Sequence, residues 1–281
     1  MFKSRQTPAE ITALDPVRDH LKIVQWVGEY EFSFETQRSL EFALFRTFAV
    51  PSISSLLAST GYFAAHGQKR YDDTALIIAE IAENGYDSER GRAAIRRMNQ
   101  IHHHFPISND DYLYVLSTFV FEPSRFGRLL SWREATDNEK LANYIFWREI
   151  GRRMNIQNIP DTIQAFEQFN RAYERGHFRY EETNHRVAEA SVQVFLDWYP
   201  AVLHPIARQA IYALMDDPLL EAVGFPKPPR WWRWFVRKVL RLRANVVKWM
   251  PRRRKPFLLT QSAIRSYPVG YKMDDLGPQD R

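Results

Sequence analysis

Apolar residues recur along this chain at intervals of three and four, and no stretch alternates strictly between apolar and polar as a half-buried strand would. The pattern predicts an all-α protein. A helix over residues 34–48 places Leu40, Leu44 and Phe48 on one stripe, and Pro51 suits the first turn of a short helix carrying Ile53, Leu56 and Leu57. The next helix is expected over residues 69–81, stopped by Asn84-Gly85. Asp87 or Ser88 can cap a helix that ends before Pro106, and Ser108 opens another through Phe119 and Phe121. Thr136 with Glu139 has the spacing of a capping box ahead of Ile145, Phe146 and Ile150. Further helices are expected over residues 162–174, 183–198 and 206–215. The short intervening loops imply a compact multi-helix bundle.

The run Phe225-Pro226-Lys227-Pro228-Pro229 cannot continue a helix and divides the chain into an expected domain of residues 1–226 and a tail of residues 227–281. Charge follows the same division. Between Ala222 and Met273 there is no Asp or Glu, while fourteen of the 39 basic residues fall there, which leaves 25 basic against 33 acidic residues elsewhere. In the tail, residues 230–250 place Trp232, Phe235, Val236, Val239 and Val246 on one stripe and Arg233, Arg237, Arg241 and Lys248 on another. This is the pattern of a basic amphipathic helix, suited either to docking on the domain or to peripheral contact with an anionic membrane surface. The acidic body gives no ground for a nucleic-acid partner. Neither a signal peptide nor an apolar run near the ~20 residues of a membrane span is legible, so the expectation is a cytoplasmic protein or one peripheral on an intracellular membrane.

The chain has 281 residues, 45% of them hydrophobic and 14% aromatic, enough to enclose a large apolar interior, and no cysteine. Thiolate metal sites, iron-sulfur clusters, cysteine nucleophiles and covalent haem attachment are therefore excluded. Two polar groups set into apolar helices carry the candidate chemistry. His102, followed by His103 and His104, stands on a helix, where three consecutive side chains point about 100° apart and at most one faces inward. His102 has the most apolar neighbours and is that one, whether as a hydrogen-bonded core histidine or as a ligand. Arg70 and Thr74 stand four apart on one face. They could donate to a bound molecule, or Arg70 could pair with Asp73 at a solvated surface while Thr74 packs by its methyl. Two Glu-x-x-His pairs, Glu174/His177 and Glu182/His185, have the spacing used in di-iron bundles, but lie too close together and lack two further glutamates.

The wording of five segments, LEFALFRTFAVPSISSLLAST, KRYDDTALIIAE, RMNQIHHHFPISNDDYLYVLSTFVFEPSRF, YEETNHRVAEASVQVFL and IYALMDDPLLEAVGFP, resembles the oxygenase family of MpaB and the rubber oxygenase latex clearing protein. The resemblance spans roughly residues 40–226, in order. It implies an all-α fold around haem b, with iron held by His102, and with Arg70 and Thr74 on the opposite side of the haem as catalytic residues. Asn99 would orient the imidazole or reach a propionate, and Arg97 would pair with a propionate. The implied activity is oxidative cleavage of a carbon–carbon double bond in an apolar, isoprenoid-like substrate by dioxygen. Rubber oxygenases have a lysine where this chain has Asp73, and a glutamate with no counterpart near Ser54, so the sequence is closer to the MpaB branch. The alternative is a non-catalytic protein of the same fold that associates with anionic membranes through its basic helix.

Overall fold

Side-chain caps and glycines set several of the helix boundaries. The computed structural model describes residues 7–278, and among them there are thirteen α-helices and no strand. In chain order these are α1 (Ala9–Thr12), α2 (His20–Trp26), α3 (Ser33–Thr47), α4 (Pro51–Ser59), α5 (Tyr62–Asn84), α6 (Glu89–His103) and α7 (Asn109–Leu130). They continue with α8 (Asp137–Arg153), α9 (Ile163–His177), α10 (Glu182–Leu196), α11 (His204–Leu214), α12 (Asp217–Val223) and α13 (Arg230–Trp249). The oxygens of Ser88, Ser108 and Thr162 accept from the backbone N–H groups three residues on, and Thr136 and Glu139 complete the reciprocal capping box. Pro51 occupies the first turn of α4.

Three elements differ from the periodicity. α5 begins at Tyr62, well before residue 69, because helical backbone bonding continues across a kink at His66 (φ −137°, ψ 40°). α7 continues through Pro123. A proline there removes the N–H that would bond the carbonyl of Phe119, and Asn143 of α8 replaces it by donating Nδ2 to the carbonyls of Val120 at 3.1 Å and Phe119 at 3.4 Å. A five-residue π-helical turn, Val27–Glu31, leads from α2 toward α3 without any sequence signal of its own.

The architecture that matters for function is an antiparallel hairpin. Gly85, at φ +80°, ends α5, and α6 returns so close to the turn that a Cβ on Gly91 would lie 2.0 Å from the Gly85 carbonyl oxygen. The hairpin returns His102, near the end of α6, to the level of Arg70 on α5. The largest core cluster draws Leu76, Ile77, Ile95, Leu116, Phe119, Phe146 and Trp147 from α5 to α8, and a second joins Phe45 and Phe48 to Val187, Leu196, Leu220 and Val223.

The proline-rich run is extended, and α13 lies across α7 and α11. Arg243 pairs with Glu35 at 2.7 Å and Arg233 with Asp217 at 2.6 Å. Beyond α13 the chain crosses α5 and α6 and seats Leu276, fully buried, in the main core. Among the described residues no single helix is long and apolar enough to cross a membrane.

Candidate active-site cavity

α3, α4, α5, α6, α7 and α8 surround a cavity of about 950 Å³, near the upper limit of the ~300–1,000 Å³ typical of ligand sites. Leu40, Leu44, Phe48, Met98, Phe119 and Trp147 contribute to a wall that is mostly apolar. Of the polar residues singled out in the sequence, Arg70, Thr74 and His102 all line it. Ile77, Ile78 and Phe119 line it as well, whereas Leu113 and Phe121 are buried in the helix core outside it. Tail residues Phe257, Leu259 and Pro278 complete the wall, a contribution that no local pattern signals.

His102 meets the ring of Tyr112 edge-on at 5.6 Å, and its Nδ1 is buried with no hydrogen-bond partner among the described residues. His103 and His104 are exposed. Burial first, and the positive charge of Arg70 second, lower the imidazole pKa from 6.5 to about 4. His102 is therefore neutral at physiological pH, with a lone pair available to an electrophile.

Arg70 Nη1 donates to Thr74 Oγ1 at 2.7 Å, and Thr74 Oγ1 donates in turn to the carbonyl of Arg70 at 3.0 Å. The threonine proton is thus committed within its own helical turn. Thr74 acts as an acceptor that aims the guanidinium, while the remaining N–H groups of Arg70 are the donors available to the cavity. No carboxylate among the described residues forms an ion pair with Arg70, and its guanidinium lies 5.5 Å from the centre of the Phe63 ring. Burial lowers its pKa, yet an arginine keeps its charge. A largely desolvated guanidinium with no ion-pair partner gains from an anionic or strongly accepting group that enters the cavity.

Asp73 does not pair with Arg70 and does not line the cavity. It is 1% exposed and turned toward the tail, where Lys69 Nζ reaches its carboxylate at 2.8 and 3.0 Å and Tyr267 donates its hydroxyl to it. Lys69 also donates to the carbonyls of Asp275 at 3.1 Å and Gly277 at 3.0 Å. Asp73 therefore belongs to a tail anchorage.

Arg97 and Asn99 are likewise placed away from the cavity. Arg97 donates to the carbonyls of Leu276 at 2.7 Å and Asp274 at 3.1 Å, and Asn99 donates to the carbonyl of Arg153 at 3.1 Å at the end of α8. Helical spacing puts both near His102 in sequence, but their side chains leave α6 on other faces. The Glu-x-x-His pairs do not converge either: Glu174 receives Arg46 Nε at 2.6 Å, His177 Nδ1 meets the carbonyl of Tyr173 at 2.9 Å, and His185 Nδ1 meets that of Val223 at 2.9 Å. No group of three or more His, Asp or Glu able to hold a bare metal ion occurs among the described residues.

A second polar region of the wall has no counterpart in the sequence pattern. Tyr71 donates to Glu41 at 2.5 Å and receives Gln37 Nε2 at 3.2 Å, while Arg38 lies 2.6 Å from the same carboxylate. Burial raises the Glu41 pKa from 4.5 to about 7 against the opposing pull of Arg38. Such a site is invisible to spacing because its partners come from two helices.

Fold and cavity together define an all-α protein whose largely apolar chamber presents the neutral imidazole of His102 and the guanidinium of Arg70, which has no ion-pair partner among the described residues. The family model described as "ER-bound oxygenase mpaB/B'/Rubber oxygenase, catalytic domain" matches residues 42–249, and the chain belongs to this family. That span includes α4 to α13 and all three polar residues of the hairpin. Over 285 residues the chain is 31% identical to ER-bound oxygenase mpaB' of Penicillium brevicompactum, covering 95% of this chain and 66% of that protein. It is 30% identical over 240 residues to ER-bound oxygenase mpaB of Penicillium roqueforti (strain FM164), covering 79% of each. It is 34% identical over 173 residues to ER-bound oxygenase mpaB of Penicillium brevicompactum, covering 59% of this chain and 43% of that protein. The chain thus spans just under two thirds of the first of these relatives and less than half of the third.

Proposed function

We propose that this protein is a haem b-dependent oxygenase that cleaves a carbon–carbon double bond of an apolar, isoprenoid-like substrate with dioxygen. The observation that carries the proposal is the placement of a neutral, orphaned His102 and an unpaired Arg70 on the wall of one large apolar cavity. A porphyrin brings four of its own ligands to iron, so one imidazole suffices where no multidentate cluster exists. The residues fit the group. His102 would hold the iron, and when bound the haem would supply the activation of dioxygen.

The chain's own residues supply the surroundings. Arg70, aimed by Thr74, offers hydrogen bonds and positive charge to an oxygen atom or a propionate, in a setting of low dielectric where both count for more than in water. Leu40, Ile78, Phe119 and Trp147 exclude water and accept a hydrocarbon chain. Arg97 and Asn99 have no part in this proposal, since their donors hold the tail and the end of α8. The relatives are named as ER-bound, and we extend membrane association to this chain as a peripheral contact.

An absorption spectrum of the purified protein tests the oxygenase assignment. The expected result is a Soret band that His102→Ala abolishes while the helical circular dichroism persists. Colourless protein that takes up no haem on reconstitution would sink it.

A further inference from the structure

The outward face of α13 is apolar. At about 100° per residue, Trp231, Phe235, Leu242, Val246 and Trp249 fall within an arc of about 60°, and all are exposed, Trp231 by 67%, Leu242 by 65% and Trp249 by 54%. This is a different set from the stripe that packs on the body, where Val236 and Ala244 are the buried positions. The helix therefore has two apolar sides, one satisfied by α7 and α11 and one left exposed among the described residues. Val202, just before the neighbouring α11, and Ile206 in its first turn are exposed as well.

Between the two sides runs a basic row. Arg230, Arg237, Arg241 and Lys248 fall within an arc of about 40°, and none forms an ion pair with a carboxylate among the described residues. Arg237 and Arg241 reach a crevice of about 360 Å³ shared with Arg128 of α7, which also forms no ion pair among the described residues. The acidic groups of that crevice, Glu122 and Asp216, are already engaged by Arg125 and Arg46. Tryptophans at both ends of an apolar stripe, with arginines along one flank, match a layer that is hydrocarbon inside and anionic at its surface.

We infer that α13 docks the protein on an anionic phospholipid membrane, with Trp231, Leu242 and Trp249 entering the acyl boundary and Arg237, Arg241 and Arg128 receiving the headgroup phosphates. This identifies the surface for the peripheral contact proposed above and is independent of the oxygenase assignment. The helix lies in the interface plane. Its body-facing ion pairs, Arg243 with Glu35 and Arg233 with Asp217, tie it to the body, so the surface is presented already folded.

The test is co-sedimentation of the full chain with vesicles of phosphatidylcholine alone or mixed with phosphatidylserine. Binding should require phosphatidylserine and weaken with salt. Leu242→Asp, at a site exposed in the folded protein, should lower binding at least about tenfold with an unchanged melting curve. Arg237→Gln with Arg241→Gln should lower it about fivefold per residue. Binding that both variants retain in full would overturn this surface while leaving membrane association standing; no binding to either vesicle would overturn both. A lipid-free dimer that Leu242→Asp dissolves would assign the face to a second copy and overturn the proposal.

Discussion

Thr74 and Glu41 show how a residue's neighbours decide its chemistry. Each is a short polar side chain on the same apolar cavity, yet the hydroxyl of Thr74 is spent within its own turn, whereas the carboxyl of Glu41 is held near neutrality by burial. For Glu41 the folded pKa is about 7 against 4.5 for an unburied carboxyl, so the folded state binds the extra proton between these values. Stability attributable to the protonated carboxyl is complete below about pH 4.5 and lost as pH rises through about 7, by roughly 3–4 kcal/mol at most. Glu41→Gln cannot ionise. Its melting temperature should exceed that of the native chain at pH 8 and lose this advantage at pH 5, as followed by circular dichroism. An equal difference at both pH values would show that Glu41 does not titrate in this window.

At the scale of elements, the α5–α6 hairpin makes the site and the tail holds the hairpin. Lys69 is the centre of that anchorage, joining buried Asp73 to Tyr267 and to two tail carbonyls. Its neighbours on α5 add more: Asp72 accepts from Ser266, and Glu80 accepts from Tyr271 at 2.7 Å and from Arg90. Removing the cation leaves a nearly inaccessible carboxylate with no ion-pair partner among the described residues, and because Lys69 is itself a quarter exposed the cost falls below that of a fully buried pair. Lys69→Met should destabilise the protein by about 2–3 kcal/mol in urea unfolding and speed hydrogen exchange in residues 257–278 before the rest of the chain. Uniform exchange across the molecule would argue against a distinct tail anchorage.

At the scale of the whole molecule, one buried arginine connects helices that are far apart in sequence. Arg46 of α3 binds Glu174 of α9 through two hydrogen bonds, at 2.6 and 2.9 Å, and lies 2.9 Å from Asp216 and 3.6 Å from Glu122 of α7. Arg125 reinforces the group by pairing with Glu122 at 2.7 Å and donating to Asn170 at 2.6 Å, and Asn170 in turn donates to Ser117 at 2.8 Å. Attraction to three carboxylates holds the Arg46 pKa above its ordinary value despite desolvation. Arg46→Met should cost about 3–5 kcal/mol, because it strands buried negative charge. Lowering the pH should recover part of that loss as Glu122, whose pKa burial already raises, takes up a proton. Urea titrations at pH 7 and pH 5 measure both effects.

Local signals in the chain determined the helical class, most helix starts and the inward turn of His102, because capping and amphipathic periodicity act over three or four residues and need no distant partner. Family resemblance added the pairing of Arg70 and Thr74 with His102, which periodicity alone left open. Tertiary structure decided what each polar group does once packed. Asp73, between the two hairpin residues in sequence, faces away to bind the tail; Arg97 and Asn99, beside His102 in sequence, do the same for the tail and for α8. Pro123 continues a helix because Asn143 reaches the freed carbonyl of Phe119 from another one, and Phe257 and Leu259 close a cavity whose other walls include residues from Val24 to Phe195. The same holds for α13, where the stripe that packs and the stripe that stays exposed are both apolar, and only the position of α7 and α11 tells them apart. These outcomes depend on burial and on partners brought together by long-range packing, so they were set by the folded arrangement and not by any local run of residues.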